Sequence, residues 1–114
     1  MNWSVFRSWQ APNQISTSCS VGNDFLISSG MDILLLDEEC NVRWKRTMPF
    51  RVHGANHDSG RIGILYGHGF HILQVSDGSP INEGRSTEGG FSDILPRPGG
   101  GWVLSCRKGN LRIF

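Results

Sequence analysis

Two histidines four positions apart have a spacing that is typical of metal sites. His53 and His57 enclose Gly54-Ala55-Asn56. On a helix, residues at i and i+4 share one face and can bind zinc together. The glycine and the repeat pattern described below favour a strand, where the two side chains share a face but lie about 13 Å apart. We therefore predict that the two histidines do not bind a common metal ion.

Charged side chains recur in the turns that follow apolar runs. His68 lies in such a turn, and the equivalent turns carry Asp32 and Lys108. Loops held by a rigid scaffold are the usual place for binding residues. The alternative is that these turns are polar only because they meet water. The candidate ligand or partner surface comprises Asp32, Arg51, His53, His68, Arg97 and Lys108.

No combination of residues in the sequence predicts catalysis. There is no G-x-S-x-G elbow and no arrangement of Ser, His and Asp that supplies a nucleophile with its base. Gly99-Gly100-Gly101 precedes Trp102, whereas a phosphate-binding glycine loop is followed by Lys-Ser/Thr and a helix. We therefore interpret the glycines as a hairpin turn, and we predict a non-enzymatic protein without cofactor or metal.

The charge balance and the cysteines limit the classes of partner and the compartment. The 11 Lys+Arg residues against 10 Asp+Glu residues give a net charge of +1, which is no footprint for nucleic acid. No apolar run approaches the roughly 18 residues of a membrane helix, and no leader is visible. Cys19, Cys40 and Cys106 are an odd number without metal-ligand spacing. Free thiols and a cytoplasmic location are the expectation.

The elements that must position these residues are short strands. In Phe25–Trp44, FLISSGMDILLLDEECNVRW, one apolar run, a glycine turn, a second apolar run and an acidic turn precede a strand with a Trp. Ile33–Leu36 is the type of short apolar run that forms a strand buried on both faces. No window keeps apolar residues at helical spacing, so we predict an all-β chain.

The pattern recurs at a nearly constant spacing. Apolar runs begin at residues 25, 62 and 102, and their partner runs begin at 33, 70 and 111. The runs therefore recur every 37 to 41 residues, a period that is typical of solenoids and propellers. We predict one domain, residues 1–114, built from antiparallel repeats at 15–49, 52–86 and 91–114.

The third repeat lacks an outer strand, and residues 2–9 are the candidate for it. This N-terminal segment runs into Ala11-Pro12 much as Val42–Thr47 runs into Met48-Pro49. Shifted by 37 positions, Val5 falls on Val42. We predict that residues 2–9 form a strand that completes the last repeat, in the same chain or in a neighbouring one.

The strand-and-turn signature from Leu36 to Lys45 carries a family resemblance. This Leu-Asp, turn and Trp-bearing strand resembles β-propeller repeats of the WD40-like and quinoprotein-like (PQQ-like) superfamily. Cys40 or Asn41 stands where that family usually has Gly, and the second unit has the weaker Pro80–Glu83 in place of the Trp-bearing strand. The resemblance implies four-stranded antiparallel blades, about three per chain, with His53 lining the central channel.

Three blades are fewer than the roughly four to eight of a closed propeller, so the resemblance implies two uncovered apolar faces. A homodimer would give six blades. The alternatives are a fragment of a larger propeller and a small sandwich or barrel. The predicted function is a binding or scaffold module for an unidentified protein or small ligand. A quinoprotein-like cofactor-binding enzyme and a small carbohydrate-binding propeller are the alternative functions.

Overall fold

The computed structural model describes residues 4–5, 7–86 and 89–114. Within these ranges the chain forms eleven strands and no helix, which confirms the all-β prediction. The strands are β1 (Ile15–Val21), β2 (Asp24–Ser29), β3 (Asp32–Leu36), β4 (Val42–Thr47), β5 (Val52–Asp58), β6 (Arg61–Tyr66), β7 (Gly69–Gln74), β8 (Pro80–Arg85), β9 (Phe91–Pro96), β10 (Trp102–Cys106) and β11 (Leu111–Ile113). No described segment is a helix capable of crossing a membrane.

The strands form three antiparallel sheets that follow one another along the chain. The strand orders are β1-β2-β3-β4, β5-β6-β7-β8 and β11-β10-β9. Neighbouring strands in each sheet are also neighbours in sequence, because hairpin loops of two to five residues join them. Each sheet is therefore a meander, as the spacing of the turn residues predicts.

Residues 2–9, predicted as the outer strand of the last repeat in the same or a neighbouring chain, form no strand where the structure describes them. Of residues 2–9, Asn2, Trp3 and Phe6 lie outside the described residues, and the others belong to no strand. The described part of the third sheet accordingly has three strands. Trp9 instead packs against three apolar residues on the outer face of the first sheet. The indole ring of Trp9 is partly buried there, and β11 has only three residues with which an outer strand could pair.

The run Ile33–Leu36 is buried on both faces, as its composition predicts. Ile33 and Leu35 join the core between the first and second sheets. Leu34 and Leu36 point to the opposite face, where Trp9 lies. Alternate side chains of a strand point to opposite faces of the sheet, so an uninterrupted apolar run fits only a strand with both faces covered.

The three sheets pack face to face in chain order. One core lies between the first and second sheets, with Leu26, Ile33 and Leu35 on one side and Ile62 and Ile64 on the other. A second core lies between the second and third sheets, and its largest members are Leu65, Phe70, Ile72, Phe91, Ile94, Trp102 and Leu104. The middle sheet is therefore covered on both faces, and each outer sheet is covered by a neighbouring sheet on one face.

Strands β1, β5 and β9 lie side by side and run in the same direction. The Ser16 hydroxyl near the start of β1 donates to the carbonyl oxygen of Val52 at 2.8 Å. The Asn56 amide in the middle of β5 donates to the carbonyl oxygen of Ile94 in β9 at 3.2 Å. These bonds join the first strands of successive sheets, and so they determine which sheets are neighbours.

Trp44 ties the outer strand of the first sheet to the second sheet. Its indole Nε1 donates to the carbonyl oxygen of Val75 at 2.7 Å, and its ring covers Gly78 in the β7–β8 turn. A Cβ atom at Gly78 would lie 2.8 to 2.9 Å from three atoms of the indole ring. The Trp therefore docks on a site that only glycine leaves open.

Candidate functional site

Five of the six predicted recognition residues lie along one edge of the three sheets. We call this edge, at which β1, β5 and β9 begin, edge A, and the opposite edge, edge B. Asp32 begins β3, and Arg51 and His53 lie at the start of β5. His68 and Lys108 lie in the β6–β7 and β10–β11 turns, which reach the same edge because neighbouring strands are antiparallel.

Arg97 lies at the opposite edge, so the structure does not bring it near Arg51. It follows β9 at edge B, beside the β5–β6 turn, and lines a cleft of about 760 Å³ with Asp58 and Arg61. Trp102 and Phe114 contribute apolar walls to this cleft. The prediction that Arg51 and Arg97 share one surface is therefore wrong, because Arg51 precedes β5 whereas Arg97 follows β9.

His53 connects two sheets. Its Nε2 atom lies 3.1 Å from the carbonyl oxygen of Phe91, across the boundary between β5 and β9. The register of β5 against β6 shifts between Val52 and Gly54, so His53 sits in a bulge that turns its side chain toward the third sheet. No group of three or more possible metal-binding side chains occurs in the described part of the chain.

His68 and Lys108 approach each other around a glycine pair. A Cβ atom at Gly90 would lie 3.3 Å from Cδ2 of His68, and one at Gly89 would lie 3.8 Å from Cε of Lys108. The backbone N–H of Arg107 donates to the carbonyl oxygen of Gly90 at 3.2 Å. The second and third sheets therefore present two basic side chains close together at edge A.

Asp32 also makes a local contact at this edge. Its carboxylate accepts a hydrogen bond from the hydroxyl of Thr47 at 2.6 Å, across the β3–β4 pair. Edge A thus combines an acidic group on the first sheet with basic groups on the second and third. This charge distribution suits a polar partner better than a purely apolar one.

The outward face of the third sheet is apolar and exposed. Trp102 and Leu104 point toward the second sheet, so Val103 between them points away from it. Val103 pairs with Leu95 on one side and Ile113 on the other, which places all three on the outward face. The apolar members of the outward face are Leu95 (49% exposed), Val103, Leu111 (63%) and Ile113 (63%), and the polar pair Asp93 and Ser105 lies on the same face. Large contiguous apolar surfaces that are exposed to solvent are typical of interaction sites.

The repeat explains why these outward positions are apolar. Two alternate positions recur in the third strand of each sheet. They are Ile33 and Leu35 in β3, Phe70 and Ile72 in β7, and Leu111 and Ile113 in β11. In the first sheet this pair packs on the second sheet, and in the second sheet it packs on the third. The pair in β11 has no such partner among the described residues. It therefore presents a sheet-packing surface with nothing packed on it.

A second polar group near edge A was not anticipated from the sequence. His71 Nε2 lies 2.8 Å from the hydroxyl of Tyr66 and 2.6 Å from Oε2 of Glu83. Tyr66 and His71 also meet edge to face, with ring centroids 4.8 Å apart. The side chains come from β6, β7 and β8, and direct cross-strand pairing joins His71 to Glu83. The sequence carries a signal for the pairing of His71 with Glu83, because the two residues are equidistant from Asp77 in the β7–β8 turn.

The chain was compared with known proteins. No protein-family model matches it, and no curated protein matches it in sequence. Its structure is similar to that of BamB from Moraxella catarrhalis, a PQQ-like β-propeller, with a TM-score of 0.76 and 13% identity over 89% of this chain and 34% of that one. It is also similar to the computationally designed Ika8 protein, with a TM-score of 0.78 and 4% identity over 89% and 33% of the two chains.

A third similar structure is a putative exported protein from Bacteroides fragilis, with a TM-score of 0.62 and 13% identity over 89% of this chain and 33% of that one. The chain spans about a third of the length of each of these three proteins. Together with the three antiparallel sheets, the similarities establish an all-β, propeller-type fold.

Proposed function

We propose that the protein is a non-enzymatic binding or scaffold module in which each sheet is one propeller blade. In this proposal a second copy of the chain completes the ring, so that two copies supply six blades. Closed homodimers with two-fold symmetry are the commonest soluble oligomers. The partner would be a protein or a small ligand bound at edge A, where the charged turn residues gather.

The observation that carries the proposal is the unpaired packing surface of the third sheet. Leu111 and Ile113 repeat positions that form inter-sheet cores twice within the chain. The complementary surface is the outer face of the first sheet, where Ile27, Leu34 and Leu36 lie under Trp9. In a ring, the outward face of the third sheet of each copy would pack on this surface of the other copy, with Trp9 displaced or built into the new interface.

Charge substitutions on the outward face test ring completion. We expect Leu111→Lys and Ile113→Lys to reduce the apparent mass in size-exclusion chromatography, because a buried ammonium group without a partner is strongly disfavoured. The control is Met31→Lys, which changes an equally apolar and 50% exposed side chain in the β2–β3 turn. Equal elution of all three variants and the unmodified chain, at the volume of a single chain, would contradict the proposal.

The alternative functions remain predictions. A quinoprotein-like enzyme would bind a quinone cofactor together with Ca²⁺, and calorimetric titration of the two would detect this. A carbohydrate-binding propeller would bind to glycans that are immobilised on an array. We propose a cytoplasmic location because all three cysteines are free, although one similar structure is described as a putative exported protein. Cell fractionation tests the location.

A further inference from the structure

A small cleft at edge A combines an aromatic wall with a set of ionisable groups. It has a volume of about 500 Å³ and is lined by Pro49, Phe50, Tyr66, Glu83, Gly84 and Arg85. Clefts of this size, with apolar walls and a few converging polar groups, are typical of small-molecule sites. All six residues belong to one chain, so the cleft exists whether or not a second copy completes a ring.

The hydrogen bonds around His71 determine whether the hydroxyl of Tyr66 can donate to a ligand in the cleft. An ionised Glu83 only accepts hydrogen bonds, so its 2.6 Å contact with His71 requires the proton to be on Nε2. A protonated Nε2 has no lone pair left for the hydroxyl of Tyr66, 2.8 Å away. The phenolic oxygen is therefore restricted to accepting from His71. Its own O–H remains available as a donor.

Arg85 lines the cleft together with Tyr66. The empty Cβ position of Gly69 is 3.7 Å from both Cγ of Arg85 and Cζ of Tyr66, so the two side chains pass close to each other over the glycine. Burial and the charge of Glu83 raise the pKa of Tyr66, which keeps the phenol protonated at neutral pH. The guanidinium group makes no ion pair with any described residue. The hydroxyl of Tyr66 and the guanidinium of Arg85 are thus two donors that belong to residues lining the same cleft.

Phe50 supplies the apolar wall. Its ring lies nearly parallel to that of Tyr66, with an interplanar angle of 17° and centroids 6.3 Å apart. The ring is supported from below by the backbone of Gly67, whose Cβ position is 3.2 Å from two ring atoms. Phe50 nevertheless remains 48% exposed, so one part of its surface is open to a ligand.

We propose that this cleft binds a small carboxylate carried on an aromatic group. The carboxylate would accept from the guanidinium of Arg85 and the hydroxyl of Tyr66, and the aromatic group would stack on Phe50. Guanidinium–carboxylate pairs are charge-assisted and geometrically specific. Oε2 of Glu83 contacts His71 and thereby orients the Tyr hydroxyl. This inference names a ligand class for the proposed binding role and rests on that role.

Benzoate is the probe, and its binding is followed by chemical-shift changes in NMR. We expect saturable binding on the order of 1 mM for so small a ligand. Benzyl alcohol, which lacks the carboxylate, should bind at least about tenfold more weakly. Arg85→Ala should weaken benzoate binding by about tenfold or more, and Tyr66→Phe by a few-fold. The control Arg61→Ala changes an exposed arginine at edge B of the same sheet and should leave binding unchanged.

The proposal is overturned if benzoate fails to saturate, or if Arg85→Ala and Arg61→Ala bind it equally well. Tyr66→Phe retains the ring, so a loss of folding would not obscure its result. The failure of ring completion is distinguishable, because Ile113→Lys should bind benzoate as well as the unmodified chain does even when it is monomeric. If the unmodified chain is itself monomeric and binds benzoate, this inference is supported and only ring completion is contradicted.

Discussion

Substitution of Gly78 by Ala is expected to destabilise the protein through one identifiable contact with Trp44. The backbone of Gly78 has a φ of 73°, in the left-handed region that an L-residue enters at a cost of about 1 kcal/mol. Its new Cβ would also lie 2.8 to 2.9 Å from three ring atoms of Trp44, well inside ordinary van der Waals contact. Overpacking of this kind costs about 1–3 kcal/mol.

Gly60 provides a matched control. It has a φ of 76°, nearly that of Gly78, and its Cβ position has no atom within 4 Å. Gly60→Ala therefore incurs the conformational cost alone, about 1 kcal/mol in the free energy of unfolding. The difference between the two alanine variants isolates the contact with the Trp ring, and we expect it to be about 1–3 kcal/mol.

Urea denaturation of four variants measures this difference. The variants are Gly60→Ala, Gly78→Ala, Trp44→Leu and the double variant of Trp44 and Gly78. With the indole ring removed, Gly78→Ala should cost no more than Gly60→Ala does, because the two substitutions then differ only in place. Equal costs in the presence of Trp44, or an excess at Gly78 that persists in the Leu background, would refute the docking of Trp44 on the β7–β8 turn.

Three further predictions concern the turns and the thiols. Backbone hydrogen bonds from Asn41 and Glu39 lower the pKa of Asp37, and hydrogen bonds from Ser79 lower the pKa of Asp77. The stabilisation from these two carboxylates is therefore complete above about pH 4 and is lost as the pH falls through the lowered pKa values. Asp→Asn variants should flatten the acid limb of the curve of stability against pH, and an unchanged limb would contradict this. Cys40 has a φ of 65°, so Cys40→Gly should raise the free energy of unfolding by about 1 kcal/mol, and a loss of stability would be the contrary result. Burial raises the pKa of Cys19 to about 11, so iodoacetamide should modify it only slowly near pH 8, and labelling at the rate of a free thiol would contradict its burial.

The local parts of the fold could be predicted from the sequence because short-range signals determine them. The run Ile33–Leu36 indicates a strand covered on both faces, and the structure has it so. The resemblance implies a Gly at Cys40 or Asn41, and the positive φ of Cys40 is a backbone conformation that Gly would favour. These features depend on a few neighbouring residues and on the alternation of side chains along a strand.

The non-local parts could not be predicted in the same way. The group of Tyr66, His71 and Glu83 depends on the exact register of three strands, and a shift of one residue would turn His71 to the other face. Arg97 follows β9 whereas Arg51 precedes β5, and only the direction of the folded strands shows that these two ends lie at opposite edges. The docking of Trp9 on the first sheet competes with strand pairing, and sequence patterns do not rank these two options.

The solution mass of the unmodified chain, measured by light scattering after size exclusion, tests the central claim most directly. The account predicts twice the 12.7 kDa of one chain, since the outward face of the third sheet would then be covered by the first sheet of a second copy. A well-folded particle of 12.7 kDa at the highest soluble concentration would contradict it. That result would mean that Leu111 and Ile113 remain exposed to solvent in the folded protein.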